Sequence, residues 1–283
     1  MSGIIENIIA GVILALITPF VSFVYYLACI YPRRRALWHF FNLSKNNKML
    51  VAYLSSLIVQ RGHAKNYRGE VRSYEGITIP GEEFQIIQWV NDLFSYPEDR
   101  LVPRPVLAWL ERIGWYVAPI LVYSQSPLQE KEVEESEART MICVGSEGYN
   151  AATAYFTGKA VTWLNLSADS PDPRTWSVRV LKGRRKGETI SVFELREGLR
   201  PVEMDLAILE RINDRERGVI AFLAHGWGVN GTRGAVRYLV EHWQELHAKH
   251  GTGEFALCLQ FPTVAEDPQG YLAKPRILLE LPE

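Results

Sequence analysis

Residues 218–247 read GVIAFLAHGWGVNGTRGAVRYLVEHWQELH. From Gly218 to Ala224 the chain is almost wholly apolar, the pattern of a strand buried on both faces. From Thr232 to His247, the apolar residues Val236, Leu239, Val240, Trp243 and Leu246 recur at helical spacing and form a broad stripe fit to cover a sheet. Between strand and helix stands the turn His225–Gly234, in which Gly226, Gly228 and Gly231 satisfy Gly-x-Gly-x-x-Gly. Glycines there let backbone N–H groups approach a phosphate, and the positive end of the helix favours an anion. Asn230, Thr232 and Arg233 could add side-chain donors. The same glycines serve equally well in a tight turn with close helix packing, and no acidic residue ends the following strand as a dinucleotide site would require.

Working outward, the same theme repeats. Apolar runs at Met49–Val59, Trp115–Tyr123, Thr140–Val144, Asp205–Ile212 and Phe255–Phe261 read as strands. Helices are expected after Pro80, with Phe84, Ile87, Val90 and Phe94 on one stripe, and over Pro105–Ile113. Val178–Leu181 and Glu188–Phe193 suggest a hairpin around the basic turn Lys182–Lys186, and the acidic stretch Gln125–Arg139 reads as a solvated helix or loop. Alternating strands and helices point to an α/β domain with an open Rossmann-like sheet over residues 49–283.

In such sheets ligands bind beyond the carboxyl ends of the strands. Two further loops are therefore candidates. In Gly145-Ser146-Glu147-Gly148-Tyr149-Asn150, the residues Gly145, Ser146, Glu147 and Asn150 could address a ribose or base, or could simply form a turn. Ser55 and Ser56, near the first strand, could meet a phosphate or be satisfied inside the core.

The charges nearly cancel, 31 Lys plus Arg against 32 Asp plus Glu, so no global basic field draws the chain onto nucleic acid. Cys29, Cys143 and Cys258 lack metal-ligand spacing, and neither a Walker motif nor His-Glu-x-x-His nor Cys-x-x-Cys occurs. No metal and no resident cofactor is expected. A triad could be drawn from Ser55 or Ser56 with His225 and Asp205, but Gly-x-Ser-x-Gly is missing; Glu82 and Glu83 could serve glycosidic-bond chemistry. No catalytic constellation is assigned.

At the N-terminus, Ile8–Tyr31 gives 24 residues without a charge, preceded by Glu6 and followed by Arg33, Arg34 and Arg35. That length and polarity predict a single transmembrane helix with the N-terminus outside, in the inner (cytoplasmic) membrane. The expected division is a membrane segment with its basic stop at 1–35, a juxtamembrane linker or helix at 36–48 and a cytoplasmic domain at 49–283. Within the span, Thr18 and Ser22 carry hydroxyls, Pro19 interrupts the backbone ladder, and Gly11, Ala15 and Ser22 are small residues that could let helices approach closely. A kinked helix in a homo-oligomer and a plain monomeric anchor both fit this pattern.

The order of parts, an apolar helix with a basic stop, the strand Leu50–Ser56, the loop Val144–Asn150 and the glycine-rich turn after Ala224, resembles the membrane effectors of bacterial anti-phage signalling systems. In those proteins a nucleotide-sensing Rossmannoid domain of the SLOG, TIR or deoxyribosyltransferase-like group is fused to transmembrane helices. The layout is most similar to the SLOG-plus-transmembrane effector of the Hailong type. The resemblance implies a domain that binds a nucleotide second messenger or short single-stranded oligonucleotide made by a partner nucleotidyltransferase. It further implies gating of a homo-oligomeric pore, a tetramer being one such assembly, with Glu6 at its outer mouth. The alternative it leaves open is a membrane-tethered enzyme acting on nucleotides or nucleosides.

Overall fold

The computed structural model describes residues 11, 14, 17, 18, 20–54, 58–60, 63–65, 71–73, 81–95, 102–124, 130–159, 161–167, 177–191 and 204–282. A π-helical turn, Tyr26–Ile30, leads into α1 (Tyr31–Phe40) and β1 (Met49–Tyr53). Three short strands follow, β2 (Ile58–Gln60), β3 (His63–Lys65) and β4 (Val71–Ser73), then α2 (Gly81–Phe94), α3 (Arg104–Arg112), β5 (Ile120–Ser124), α4 (Glu130–Glu135), β6 (Thr140–Val144) and α5 (Ala151–Gly158). The remainder comprises β7 (Leu164–Ser167), β8 (Ser177–Val180), β9 (Thr189–Ser191), β10 (Met204–Asp214), β11 (Val219–Gly226), α6 (Val229–His250), β12 (Phe255–Pro262) and β13 (Arg276–Leu281).

The main sheet has seven strands in the order β13-β12-β10-β11-β6-β1-β5. β5, β1, β6, β11 and β12 run one way, while β10 and β13 run the other. Successive side chains alternate between two cores. Leu50, Ala52, Ile142, Val144, Phe222 and Ala224 face one core, closed by α1, α2 and α6. Val51, Tyr53, Met141, Cys143, Ala221 and Leu223 face the other, closed by α4, α5 and the β7-β8-β9 meander.

The mixed sheet corrects the expected Rossmann-like arrangement. The cause is the turn between β10 and β11: Asp214 pairs with Val219, and Gly218 at φ +63° closes the intervening residues into a hairpin. A hairpin enforces an antiparallel pair, where a parallel one needs a long crossover.

The membrane span is corrected too. Among the described residues no helix is long and apolar enough to cross a membrane, which overturns the expected spanning segment and the single-pass placement in the inner membrane. Around the basic triplet, the backbone continues from the π-turn into α1 and carries Arg34 into the fold. There it is 3% exposed, with its guanidinium over the rings of Tyr26 at 5.6 Å and Tyr116 at 5.7 Å. Gly11 and Thr18 are exposed, Ser22 is half-buried, and the Thr18 hydroxyl donates to the Leu14 carbonyl at 2.8 Å. Glu6, Ala15 and Pro19 lie outside the described residues.

The segment after Tyr31 is tied to the sheet. Phe40 and Phe41 are fully buried, and the hydroxyl of Thr140 donates to the Phe41 carbonyl at 2.8 Å. Arg211 of β10 donates to the carbonyls of Phe40 at 3.2 Å, Gly253 at 2.8 Å and Thr252, and its guanidinium lies 5.7 Å from the Phe222 ring centre. Burial pulls its pKa down to about 10, still protonated at neutral pH. A buried cation is tolerable when it is hydrogen-bonded, and here three carbonyls take three of the five guanidinium N–H donors.

Glu210 is the converse case. It is fully buried; one carboxyl oxygen accepts from the backbone N–H of Trp163 at 3.2 Å and Leu164 at 2.7 Å, while the other has no partner among the described residues. Desolvation raises its pKa from 4.5 to about 8, against the opposing pull of those two N–H groups and of Lys182. The folded state therefore holds a proton that the unfolded chain releases above its ordinary range, so stability falls as pH rises from about 5 to 8, by roughly 1.4 kcal/mol per unit. Glu210→Gln keeps the acceptor and carries no charge. Denaturant titrations at several pH values should show this slope in the parent protein and its loss in the variant; parallel profiles would mean that Glu210 is ionised in the fold.

Candidate functional site

β1 lies between β5 and β6 in the sheet, so the chain leaves β1 to one side for β5 and then returns across it to β6. The helix after β1 packs into one core, through Ile86, Val90 and Phe94 of α2, and the helix after β6 into the other, through Ala152, Tyr155 and Phe156 of α5. Connections diverging to opposite faces make the carboxyl ends of β1 and β6 a topological switch point, the place where open α/β sheets bind ligands. The strand pairings Tyr53↔Cys143 and Leu223↔Cys143 bring the ends of β1, β6 and β11 to one edge. All three candidate loops start from that edge, although Ser55 and Ser56 themselves lie outside the described residues.

Asn150 organises this edge. Its side-chain nitrogen donates to the Tyr53 carbonyl at 2.8 Å and the Val144 carbonyl at 2.7 Å, the last residues of β1 and β6. Its side-chain oxygen accepts from the N–H groups of Ala152 at 2.9 Å and Thr153 at 3.1 Å, capping α5. At 2% exposure the amide uses its full capacity on the fold, two donors and two acceptor sites. The Thr153 hydroxyl adds a bond of 2.8 Å to the Gly145 carbonyl.

These bonds hold the turn 145–149 in place. Gly145 takes φ +104°, a conformation that favours glycine, and its N–H donates to the Ala224 carbonyl at 2.9 Å, which joins the turn to β11. The N–H groups of Tyr149 and Asn150 both donate to the Ser146 carbonyl at 2.9 Å. The consecutive N–H groups of Ser146, Glu147 and Gly148 form no hydrogen bond among the described residues. Ser146 and Gly148 are half-buried; Glu147 is exposed, and its carboxylate accepts from the Thr157 hydroxyl at 3.0 Å. Beside β1 on the α4 side, a cavity of about 400 Å3 is lined by Val51, Tyr53, Val122, Ser124, Glu132 and Ser136, among others. Burial raises the Tyr53 phenol pKa, and a hydrogen bond with Ser136 offsets part of that rise.

The glycine-rich turn holds an anion of its own. The Asp205 carboxylate, at the start of β10, accepts from Gly228 N–H at 2.9 Å and Gly231 N–H at 2.6 Å. A Cβ at Gly228 would lie 2.6 Å from an Asp205 oxygen, and one at Gly231 would lie 2.9 Å from the Leu206 carbonyl oxygen. The glycines thus admit a close approach, and what approaches is β10. Gly226 N–H donates to the Thr232 hydroxyl at 3.0 Å. Asn230 is buried, with its amide donating to the carbonyls of Pro262 at 3.0 Å and Asp267 at 2.8 Å. Arg233 donates to the Gln85 side chain and sits 3.7 Å over the Tyr271 ring. His225, beside Gly226, is buried, and desolvation pulls its pKa down to about 4, so it is neutral at physiological pH.

Sequence reading offered Asp205 only as a member of a triad. Its partnership with the turn spans 23 residues to Gly228 and 26 to Gly231, too far apart for any local pattern to reveal. Nothing in the sequence around Tyr53 marks it as part of a site. Among the described residues no group of His, Cys, Asp and Glu side chains could hold a metal ion. In comparisons with known proteins, the chain matches no family model, no curated protein and no solved structure.

Asp205→Ala should expose the two N–H groups and lower stability by on the order of 3 to 5 kcal/mol, the cost of leaving charge-assisted hydrogen bonds unmade. Millimolar phosphate should recover part of that loss, beyond any shift it gives the parent protein in a thermal melt. Equal shifts in both proteins would show that the vacated turn does not take an anion.

Proposed function

We propose that the chain is a sensor domain that binds a nucleotide second messenger or short single-stranded oligonucleotide at the carboxyl edge of β1 and β6, without transforming it. The observation that carries this reading is the row of N–H groups at Ser146, Glu147 and Gly148, unpaired among the described residues and standing where the strand order reverses. Backbone donors at such a place suit a phosphate. The neighbouring cavity offers Tyr53 as an aromatic wall and Ser124, Glu132 and Ser136 as polar partners for a sugar or base. Resemblance to nucleotide-sensing domains of anti-phage systems supports the same ligand class, with a partner nucleotidyltransferase as its source. The gated pore needed a spanning helix and is not carried forward.

Sensing requires that the ligand bind two states of the protein unequally, since equal affinity shifts no population. The turn lies on Asn150 and Thr153, which connect it to β1, β6 and α5, so a ligand that tightens it acts on all three.

The test is a thermal-shift and calorimetry panel of linear, cyclic and oligomeric nucleotides on the full chain. One class should raise the melting temperature, and Ser146→Glu, which sets a carboxylate among the donors, should weaken that ligand at least tenfold without unfolding the protein. A panel with no binder, or one in which Ser146→Glu weakens none of the ligands that bind the parent, would refute the assignment.

A further inference from the structure

The opposite end of the sheet carries a second cavity, of about 360 Å3, lined by Tyr31, Arg35, Trp38, His39 and Lys45 and by Trp115, among others. It lies at the amino ends of β1 and β5, since Leu43–Lys45 precede the first and Trp115–Val117 the second. Tyr31, Arg35 and His39 follow one another at intervals of four along α1, so one face of that helix supplies much of the wall. Trp38 is 3% exposed and forms a floor, whereas Trp115 is 40% exposed. The Tyr31 and Trp115 rings are inclined by 32° with centroids 5.9 Å apart, too close to admit a third ring between them, so a planar ligand would stack on the outer face of Trp115.

The charge of this cavity is one-sided. Arg35, His39 and Lys45 line it and, among the described residues, no carboxylate does. Glu111, carried on the neighbouring α3, is paired with Lys48. Lys45 donates to the Arg112 carbonyl at 2.7 Å, a contact that fixes its position and leaves its charge unneutralised. Cations gathered on aromatic walls make a site for a planar group bearing a phosphate, with cationic and stacking contributions at once. The volume, near the lower end of the ~300–1,000 Å3 range of ligand pockets, suits one ring system and one phosphate better than a dinucleotide.

We propose that this cavity binds a nucleoside monophosphate or a ligand of the same chemistry, with its phosphate held by Arg35, His39 and Lys45 and its ring on Trp115. This site is separate from the carboxyl edge and does not depend on the function proposed there. A lipid headgroup offers a phosphate without the ring, so the two sources can be told apart.

The experiment uses the full chain carrying Ser146→Glu, so that binding at the carboxyl edge does not contribute. AMP, adenosine, inorganic phosphate and vesicles containing phosphatidylglycerol are titrated by calorimetry and tryptophan fluorescence. AMP should bind and quench, with adenosine and phosphate at least tenfold weaker. Arg35→Ala combined with Lys45→Ala should weaken AMP at least tenfold, Trp115→Leu should weaken it and reduce the quench, and Lys45→Arg should retain it. Far-ultraviolet circular dichroism checks that each variant is folded. Absence of AMP binding, AMP binding indifferent to these residues, or vesicle binding that needs Arg35 and Lys45 while AMP does not bind would overturn the proposal.

Discussion

One side-chain amide, that of Asn150, joins the parts on which the rest depends. Two strands that are neighbours in the sheet but come from opposite sides of a long excursion end on its nitrogen, and the helix that follows begins on its oxygen. Each bond contributes on the order of 1 kcal/mol in net stability, and leaving buried carbonyls unpaired would cost more. The larger consequence is geometric. With its own side chain fully engaged, Asn150 cannot serve a ligand, but it fixes the turn ahead of it, where backbone donors remain unpaired among the described residues.

The glycine-rich turn at the next strand shows the same chemistry resolved the opposite way. Backbone N–H groups at a helix start attract an anion, and in this fold the anion is the Asp205 carboxylate, delivered by the antiparallel strand β10. The glycines are required by steric closeness in either case, because a phosphate and an incoming carboxylate crowd the backbone alike. A Gly-x-Gly-x-x-Gly pattern therefore reports a crowded, electropositive turn and leaves open who fills it.

What could be read from sequence follows from the range of each interaction. The stripe of Val236, Leu239, Val240, Trp243 and Leu246 lies within α6, and the apolar run Thr140–Val144 coincides with β6, because periodicity and burial are local properties. The direction of β10 is not legible in this way: Asp205–Ile212 reads as a strand, but its sense is set by the hairpin turn Arg215–Gly218, which the apolar pattern does not mark. The charge of the basic triplet alone points to a membrane stop. Arg34 instead finds aromatic faces contributed by Tyr26 and, 90 residues after it, by Tyr116. Asp205 and Asn150 illustrate the same limit at the site, since their partners are set by strand order and not by spacing.

Amide resonances offer the most direct view of where a ligand's phosphate sits. In a 15N-resolved titration of the full chain carrying Arg35→Ala and Lys45→Ala, with a nucleotide that binds it, the largest shifts should fall on Ser146, Glu147 and Gly148, while Gly228 and Gly231, held by Asp205, stay near their starting positions. Dominant shifts at Gly228 and Gly231, with the 146–148 amides unmoved, would place the ligand in the glycine-rich turn and contradict the account.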